Sequence, residues 1–337
     1  MIFGLTMILI LVLFLPFYVK QVEQNLEAFL FVMGLATTVI SGVLDRTLWL
    51  KALQDPIQIT LAVLLAGTLF KWFHRQLEKT IHAMSNIMSL RMFLALFVMF
   101  LGLVSSMITA IIASLVLVAV ASILKLDRKS ELQFVVLACF SIGLGAALTP
   151  IGEPLSTIVV SKLNEDFFYL IHLIGLYIIP AVAIFGLLTA VIVKPKNEIN
   201  RLSNSGNDES YLDIIVRSLK IYLFVMGLTL LGAGFEPFIE RYLLHLSPYI
   251  LYWINMISAI LDNATLAAAE VSPAMNTETL QAILLGLLIS GGMLVPGNIP
   301  NIIAAGKLNI TSKEWARFGI PIGLIAMFVY FLVILIV

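Results

Sequence analysis

The words L-T-P-I-G-E-P (Leu148–Pro154) and L-V-P-G-N-I-P (Leu294–Pro300) interrupt two long apolar stretches, one in each half of this chain. Each word holds two prolines four residues apart with a glycine between them. Proline removes an amide donor and clashes with the preceding turn, so we predict that both helices open there. The predicted hinges are Pro150, Pro154, Pro296 and Pro300. Matched broken helices at membrane depth point to the binding site of a secondary transporter.

The composition is that of a membrane protein. Apolar residues make up 61% and charged residues 12% of the 337 residues, against about 45–50% and about 25% in soluble domains. Runs that can cross about 30 Å of hydrocarbon occur at 2–19, 27–44, 56–73, 92–124, 132–161, 168–193, 213–235, 249–271, 279–306 and 318–337. The first run lacks a basic start and a small-residue cleavage site, so we expect a retained span rather than a signal peptide.

The charge and cysteine content argue against nucleic-acid binding and against cysteine-rich sites. The net charge is zero and no basic cluster suggests a nucleic-acid partner. A single cysteine, Cys139, excludes an internal disulfide and a cysteine-rich metal site. We therefore expect an all-α polytopic protein of a prokaryotic plasma membrane, whose partners are the lipid bilayer and a small inorganic ion.

A polar stretch from Lys194 to Ser210 divides the chain and is too short to form a soluble domain. We expect four parts along the sequence. These are an N-terminal span and linker at 1–26, a first inverted repeat at 27–193, a cytoplasmic linker at 194–212 and a second inverted repeat at 213–337.

Two segments predict re-entrant hairpins. Segment 92–124 is too long for one span, and lysine and arginine on both flanks place both of its ends in the cytoplasm. We therefore predict a hairpin with its tip near Gly102–Ala110; a single long tilted helix is the alternative. Segment 249–271 has acidic flanks and a polar centre at Ser258–Thr265, so we predict a second hairpin that enters from outside.

The order hairpin, broken helix and closing span therefore occurs twice with opposite polarity, which predicts an inverted repeat. The repeated word L-F-V-M-G-L, at Leu30–Leu35 and Leu223–Leu228, does not follow this scheme. The predicted spans make its two copies parallel rather than inverted.

Two acids occupy the predicted midplane breaks, Glu153 in the first broken helix and Asp262 at the second hairpin tip. A carboxylate at the centre of a spanning helix costs about 2.5–3.5 kcal/mol, so its presence favours function over an acid at a loop end. Neutral oxygen groups surround them in sequence: Ser105, Ser106, Thr109, Thr149, Ser156, Thr157, Asn263, Thr265, Asn298 and Asn301. Such a set suits a hard cation such as sodium, although any single hydroxyl is also typical of helix packing. We expect Asn255 to pack and Glu270 to be interfacial.

With these features the chain resembles the ion transporter superfamily. That superfamily includes sodium/proton antiporters, arsenite pump membrane subunits and divalent-anion/sodium symporters. The resemblance lies in the tips S-S-x-x-T and L-D-N-A-T, each followed by a broken helix, and covers about residues 27–337. Within it the chain most resembles a family of compact predicted cation transporters. The resemblance implies a homodimer with a fixed scaffold and a moving transport domain that works by elevator-type alternating access. It also implies an ion site formed by Ser105, Ser106, Thr109, Thr149, Gly152, Glu153, Asp262, Asn263, Thr265, Gly297 and Asn298.

Two departures from the anion symporters bear on the substrate. Those symporters carry a serine-asparagine-threonine word at both tips, whereas here the first tip lacks asparagine and the second has Asp262. Glu153 replaces the threonine that follows the first break's glycine. Because both changes add negative charge, we predict a cation/proton antiporter, with sodium favoured as the cation.

Three alternatives stay open. A sodium- or proton-coupled carrier of a carboxylate or oxyanion would use helix N-termini at the breaks to attract its substrate. An intramembrane aspartyl protease needs two acids that share a proton, but the chain has no G-x-G-D word. A protein that transports nothing would not need two matched breaks. We expect no enzyme activity and no cofactor, since the four histidines, His74, His82, His172 and His245, show no metal-ligand spacing.

Overall fold

The computed structural model describes residues 2–85, 88–124, 126–194, 211–242 and 246–336, and the linker predicted at 194–212 lies largely outside them. Within these ranges the chain is helical and contains no β-strand. The helices of the first half are α1 (Ile2–Tyr18), α2 (Lys20–Gln24), α3 (Leu26–Ser41), α4 (Arg46–Ser85), α5 (Leu90–Ile108), α6 (Ala110–Leu124), α7 (Arg128–Ala146), α8 (Pro154–Leu163) and α9 (Tyr169–Ile192). Those of the second half are α10 (Tyr211–Tyr242), α11 (Pro248–Ile254), α12 (Asn263–Glu270), α13 (Thr277–Gly291), α14 (Ile299–Leu308) and α15 (Ser312–Ile336).

Several helices have the length and apolar character of membrane spans. Six described segments qualify: Arg46–Leu65, Leu90–Ile108, Arg128–Ala146, Tyr169–Ile192, Tyr211–Ile239 and Ser312–Leu335. This agrees with the prediction of an all-α polytopic membrane protein.

The two broken helices form the centre of the bundle. Every residue from 134 to 149 and from 282 to 295 is buried. A helix that is apolar on all sides belongs in a protein interior, and α7 and α13 both occupy that position. In contrast, α15 exposes much of its apolar surface, as a helix that faces lipid does.

The two broken helices also share their local architecture. Asp127 caps α7 and Asn276 caps α13, each by accepting a bond from a backbone amide three residues later. After each break comes a ten-residue helix, α8 or α14, that ends at a left-handed asparagine, Asn164 or Asn309. Asparagine tolerates that conformation better than other side chains. The same unit therefore occurs once in each half.

Helices α5 and α7 pack closely and run in the same direction. The Ser141 hydroxyl donates to the carbonyl of Val98 over 3.0 Å. Further along, a Cβ on Gly145 would lie 1.8 Å from the carbonyl oxygen of Gly102. Residue numbers rise together in both contacts, so the two helices are parallel.

The second half repeats this relation. The Ser290 hydroxyl on α13 donates to the carbonyl of Asn255 over 2.7 Å. A Cβ on Gly286 would lie 2.8 Å from the carbonyl oxygen of Tyr252. Helix α11, with the 3-10 turn Asn255–Ala259 that follows it, therefore runs parallel to α13.

The repeated word L-F-V-M-G-L lies in two helices, α3 and α10, that pack against each other. Glu27 pairs with Lys220 over 2.9 Å, and a Cβ on Gly34 would lie 2.6 Å from the carbonyl oxygen of Gly227. The two copies meet at their glycines, and the helices run parallel, as the predicted spans require. Small residues permit this close approach between membrane helices.

The halves also exchange contacts. Helix α6 packs on α14, the helix after the second break, and α12 packs on α8, the helix after the first break. The Lys162 ammonium near the end of α8 donates to the carbonyl of Ala268 on α12. Each half therefore covers the broken helix of the other.

Candidate functional site

The first break is a short ordered loop. Helix α7 ends at Ala146 and the chain becomes helical again at Pro154, within the word that predicts an opening. Ser156, the third residue of α8, donates its hydroxyl proton to the carbonyl of Ala147 over 3.0 Å. A Cβ on Gly152 would lie 1.9 Å from the carbonyl oxygen of Ala146, so only glycine fits there without movement.

The second break is restrained in the same way as the first, by a side chain of the helix that follows it. Helix α13 ends at Gly291, and α14 begins after the turn Val295–Gly297, which holds Pro296. Asn301, the third residue of α14, donates to the carbonyls of Gly291 and Leu294 over 2.9 and 2.8 Å. Ser156 and Asn301 thus restrain the two breaks from the same helix position.

Removing either restraint should destabilise the fold. We expect Asn301→Ala to lower thermal stability more than Ser156→Ala, because it leaves two buried carbonyls without their donor rather than one. Each unsatisfied group costs about 1–3 kcal/mol. Thermal unfolding in detergent, followed by circular dichroism, measures both variants. Equal midpoints for Asn301→Ala and the unmodified chain would contradict this role.

The end of α5 contacts the first break. Thr109 separates α5 from α6 with φ 75°, a conformation unfavourable for a side chain with a Cβ. Its hydroxyl accepts a bond from the first turn of α6. The amide of Ala110 donates to the carbonyl of Gly152 over 2.7 Å, and the Thr149 hydroxyl donates to the carbonyl of Ser106. The predicted first tip and first break are therefore one connected structure.

Asp262 begins α12 and organises its first turn. Its carboxylate accepts from the Thr265 amide over 3.1 Å and from the Thr265 hydroxyl over 3.3 Å. Thr265 is held from the other side by α10, where a Cβ on Gly232 would lie 2.5 Å from its methyl carbon. The Asp262 side chain is an N-cap and stays partly accessible.

Glu153 and Asp262 approach each other across the two halves. Glu153 occupies the N-cap position of α8 but makes no capping bond, and the residue is only 5% exposed. Its carboxyl group faces the side chain of Asn263 and the charge of Asp262. The atoms Glu153 Oε1 and Asn263 Nδ2 are buried and have no hydrogen-bond partner in the described chain. Their mutual approach is therefore a loose contact rather than a formed bond.

Basic groups stay away from this pair of acids. Among the described residues, no lysine or arginine lies within ion-pair distance of either carboxylate. Lys51 on α4 attracts Asp262 from a longer distance. The described chain also contains no cluster of three or more histidine, cysteine, aspartate or glutamate side chains that could hold a metal ion. Any bound cation would therefore depend on neutral oxygens as well.

The second break reaches the same region. The Asn298 amide lies over Gly143 of α7, where an added Cβ would be 2.3 Å from Asn298 Nδ2. Asn263 Nδ2 lies 3.7 Å from the corresponding Cβ position on Gly291, and the carbonyl oxygen of Gly297 lies 3.0 Å from it. Both breaks and the start of α12 thus lie close together.

Several predicted hydroxyl ligands donate their protons to backbone carbonyls. Ser105 donates to the carbonyl of Gly102 over 2.6 Å and lies 3.1 Å from that of Ile142. Ser106 donates to a carbonyl one turn earlier, and Thr157 donates to the carbonyl of Pro150 over 2.6 Å. For these three, a backbone carbonyl accepts the hydroxyl proton.

Glu270 is the polar residue that sequence reasoning placed wrongly. The prediction of an interfacial side chain is wrong, because Glu270 is 1% exposed. Asn255, also 1% exposed, donates its amide to Glu270 Oε2 over 2.9 Å. A buried acid in α12, two turns after Asp262, was visible in the sequence, but its partner fifteen residues earlier was not.

Comparison with protein families places the chain. The model of DUF1646, described as a protein of unknown function, matches residues 2–337. The chain belongs to the DUF1646 family. A search of curated proteins finds no match. Because the DUF1646 match spans both breaks and both predicted tips, these features belong to a single family unit.

Proposed function

We propose that this protein is a secondary active transporter that exchanges a cation, with sodium favoured, for protons. One observation carries the proposal: the buried Glu153 carboxyl group faces Asp262 and Asn263 without a basic partner. A buried carboxylate left unpaired costs several kcal/mol. A bound cation or a bound proton removes that cost, and the two compete for the same oxygens.

The surrounding groups suit a hard cation. Such ions prefer carboxylate, amide and carbonyl oxygens. Glu153 and Asp262 supply carboxylates, Asn298 supplies an amide, and the loops at both breaks supply carbonyls outside regular helices. An empty site would keep two acids close together in the interior, which is the state least able to cross the membrane.

The fold supports two re-entrant hairpins. Helix α6 joins the end of α5 to the start of α7, and because α5 and α7 are parallel, α6 has to run back between them. In the second half, the bond from Asn255 to Glu270 places the end of α12 beside the turn that precedes it. The helical order α5 to α9 would then correspond to α11 to α15.

This correspondence forms the basis of the proposed inverted repeat. The reciprocal packing of α6 on α14 and of α12 on α8 is what a two-fold relation between halves produces. In this scheme α10, the helix before α11, corresponds to α4, the helix before α5, rather than to α3. The parallel copies of the repeated word are then compatible with inversion.

The elevator mechanism and the homodimer are part of the proposal. Helices α3 and α4 both pack on α10, and the three would form the scaffold. The hairpins and broken helices would form the moving part, since they hold both acids. Helix α12 meets the scaffold where Thr265 lies against Gly232, so movement would take place along a glycine-containing surface.

Proton flux in proteoliposomes tests the proposal. Liposomes with an internal pH dye would receive external sodium, lithium, potassium or magnesium chloride in separate pulses. Inward movement of the cation would drive protons out, so we expect the interior to become alkaline in a cation-selective way. Protein-free liposomes control for leakage. No response to any of the four salts would overturn cation/proton exchange.

One observation favours a carrier of carboxylates or oxyanions instead. Neither the Glu153 side chain nor the Asn298 side chain, at the N-cap positions of α8 and α14, accepts a bond from the first amides of its helix. Such helix N-termini attract anions. If no cation moves protons, sodium-stimulated uptake of labelled carboxylates or oxyanions is the next measurement. Uptake that persists in Glu153→Gln and Asp262→Asn would favour the anion carrier.

A further inference from the structure

A second buried acid lies away from the proposed exchange site. Glu270 and Asn255 border a cavity of about 20 Å³ between α1, α10, α12 and the 3-10 turn after α11. The other described lining residues are apolar, among them Phe235, Ile257 and Leu266. This volume is about that of one water-sized sphere.

The hydrogen bonds at this cavity are incomplete in one particular way. Asn255 donates to Glu270 Oε2 and also approaches the carbonyl of Ile283 over 3.4 Å. Glu270 Oε1 and Asn255 Oδ1 are then left without a partner in the described structure. Both are acceptors, so the arrangement has two acceptors and lacks a donor. A proton on Glu270 turns one of these acceptors into the missing donor.

Nearby charges do not stabilise an ionised Glu270. Of the described lining residues it alone is titratable. Helix α1 has no charged residue, and on α10 the neighbouring Glu236 is not among the lining residues. The Lys162 ammonium, on α8, donates to the carbonyl of Ala268 on α12. Asp262 lies at the opposite end of α12 from Glu270. An unpaired carboxylate in such apolar surroundings costs far more free energy than the neutral acid does.

The cavity does not suit a metal cation. A hard cation takes about six or more oxygen ligands, but this space presents two unpartnered side-chain oxygens among apolar groups. A proton needs only one oxygen and an acceptor or a water beside it.

We propose that Glu270 is a second proton-binding site: its carboxyl group, which faces the cavity beside Asn255, binds a proton. The role in transport rests on the proposed function: α12 links Glu270 to Asp262, so the helix would carry a second proton through each exchange cycle. The site is distinct from the pair Glu153 and Asp262, because it lies at the other end of α12.

Infrared difference spectroscopy tests the site without transport. The reconstituted full chain would be compared between acidic and alkaline pH, in water and in heavy water. We expect a carboxylic-acid stretching band that Glu270→Gln removes and Glu153→Gln retains. Glutamine keeps the acceptor for the Asn255 amide, so this variant should fold. Glu278→Gln, at an exposed glutamate of α13, is the matched control. A spectrum unchanged by Glu270→Gln would overturn the proposal.

A second variant, Asn255→Leu, tests the assignment even if the Glu270→Gln protein does not fold. Asn255→Leu removes the bond to Glu270 Oε2, so the same band should move to higher frequency; no movement would overturn the assignment. The proton count per cation, from the reversal potential of exchange, should fall by one in Glu270→Gln. A Glu270 band in a chain that exchanges no cation would refute the proposed function alone. Exchange without that band would refute the proton site alone.

Discussion

The Glu153→Gln protein is expected to lose most of its cation-driven proton exchange while keeping its fold. The change removes the buried charge that faces Asp262 and Asn263, but it keeps the size of the side chain. A charged hydrogen-bonding group contributes about 1.5–3 kcal/mol, so cation affinity should fall by about 10- to 100-fold. Because glutamine also cannot bind or release a proton, the proton flux should stay below that of the unmodified chain even at saturating cation.

The measurement is the proteoliposome pH assay at increasing sodium concentrations. Glu165→Gln is the matched control, since Glu165 is an exposed glutamate shortly after α8; its flux should equal that of the unmodified chain. Thermal unfolding shows whether each variant is folded. Normal exchange in Glu153→Gln with unchanged sodium dependence would contradict the proposed role of this carboxyl group.

The Asp262→Asn protein tests whether Asp262 contributes to exchange in addition to capping α12. Asparagine is nearly as good an N-cap as aspartate, so the cap that Asp262 provides to Thr265 should survive the change. We expect a folded protein with weakened exchange, measured in the same assay. Loss of folding would show instead that Asp262 serves mainly to start α12.

The parts of this fold that sequence predicts are those with a local cause. Two prolines on either side of a glycine favour an open helix, and α7 and α13 end two and three residues before the words that contain them. The small and hydroxyl residues before Thr109 likewise marked the point where α5 gives way to α6. Apolar length likewise predicted runs that overlap the six described segments long and apolar enough to span a membrane.

The contacts between distant segments were not predictable from a single sequence. The approach of Gly102 to Gly145 depends on the register of two helices. A serine in an apolar helix can bond to its own helix or to a neighbour, and Ser105 approaches carbonyls in both. Glu270 looked interfacial because its partner, Asn255, is adjacent only after α12 folds back.

The Gly145→Ala protein is expected to be strongly destabilised. Its new methyl carbon would lie 1.8 Å from the backbone oxygen of Gly102 and 3.1 Å from the Ser105 hydroxyl. Backbone atoms cannot rotate away as a side chain can, so α5 and α7 would have to separate. Overpacking of this kind costs about 1–3 kcal/mol or more. Thermal unfolding in detergent should show a lower midpoint, with reduced yield of folded protein.

Gly306→Ala makes the same chemical change at an open position. Gly306 is an exposed residue of α14, and an added Cβ there would meet no atom within 4 Å. Alanine favours a helix over glycine by about 0.5–1 kcal/mol, so this variant should be as stable as the unmodified chain or more so. The comparison isolates packing from helix propensity. Equal stability of the two variants would show that α5 and α7 do not meet at Gly145, and it would remove the parallel register from which the first re-entrant hairpin is inferred.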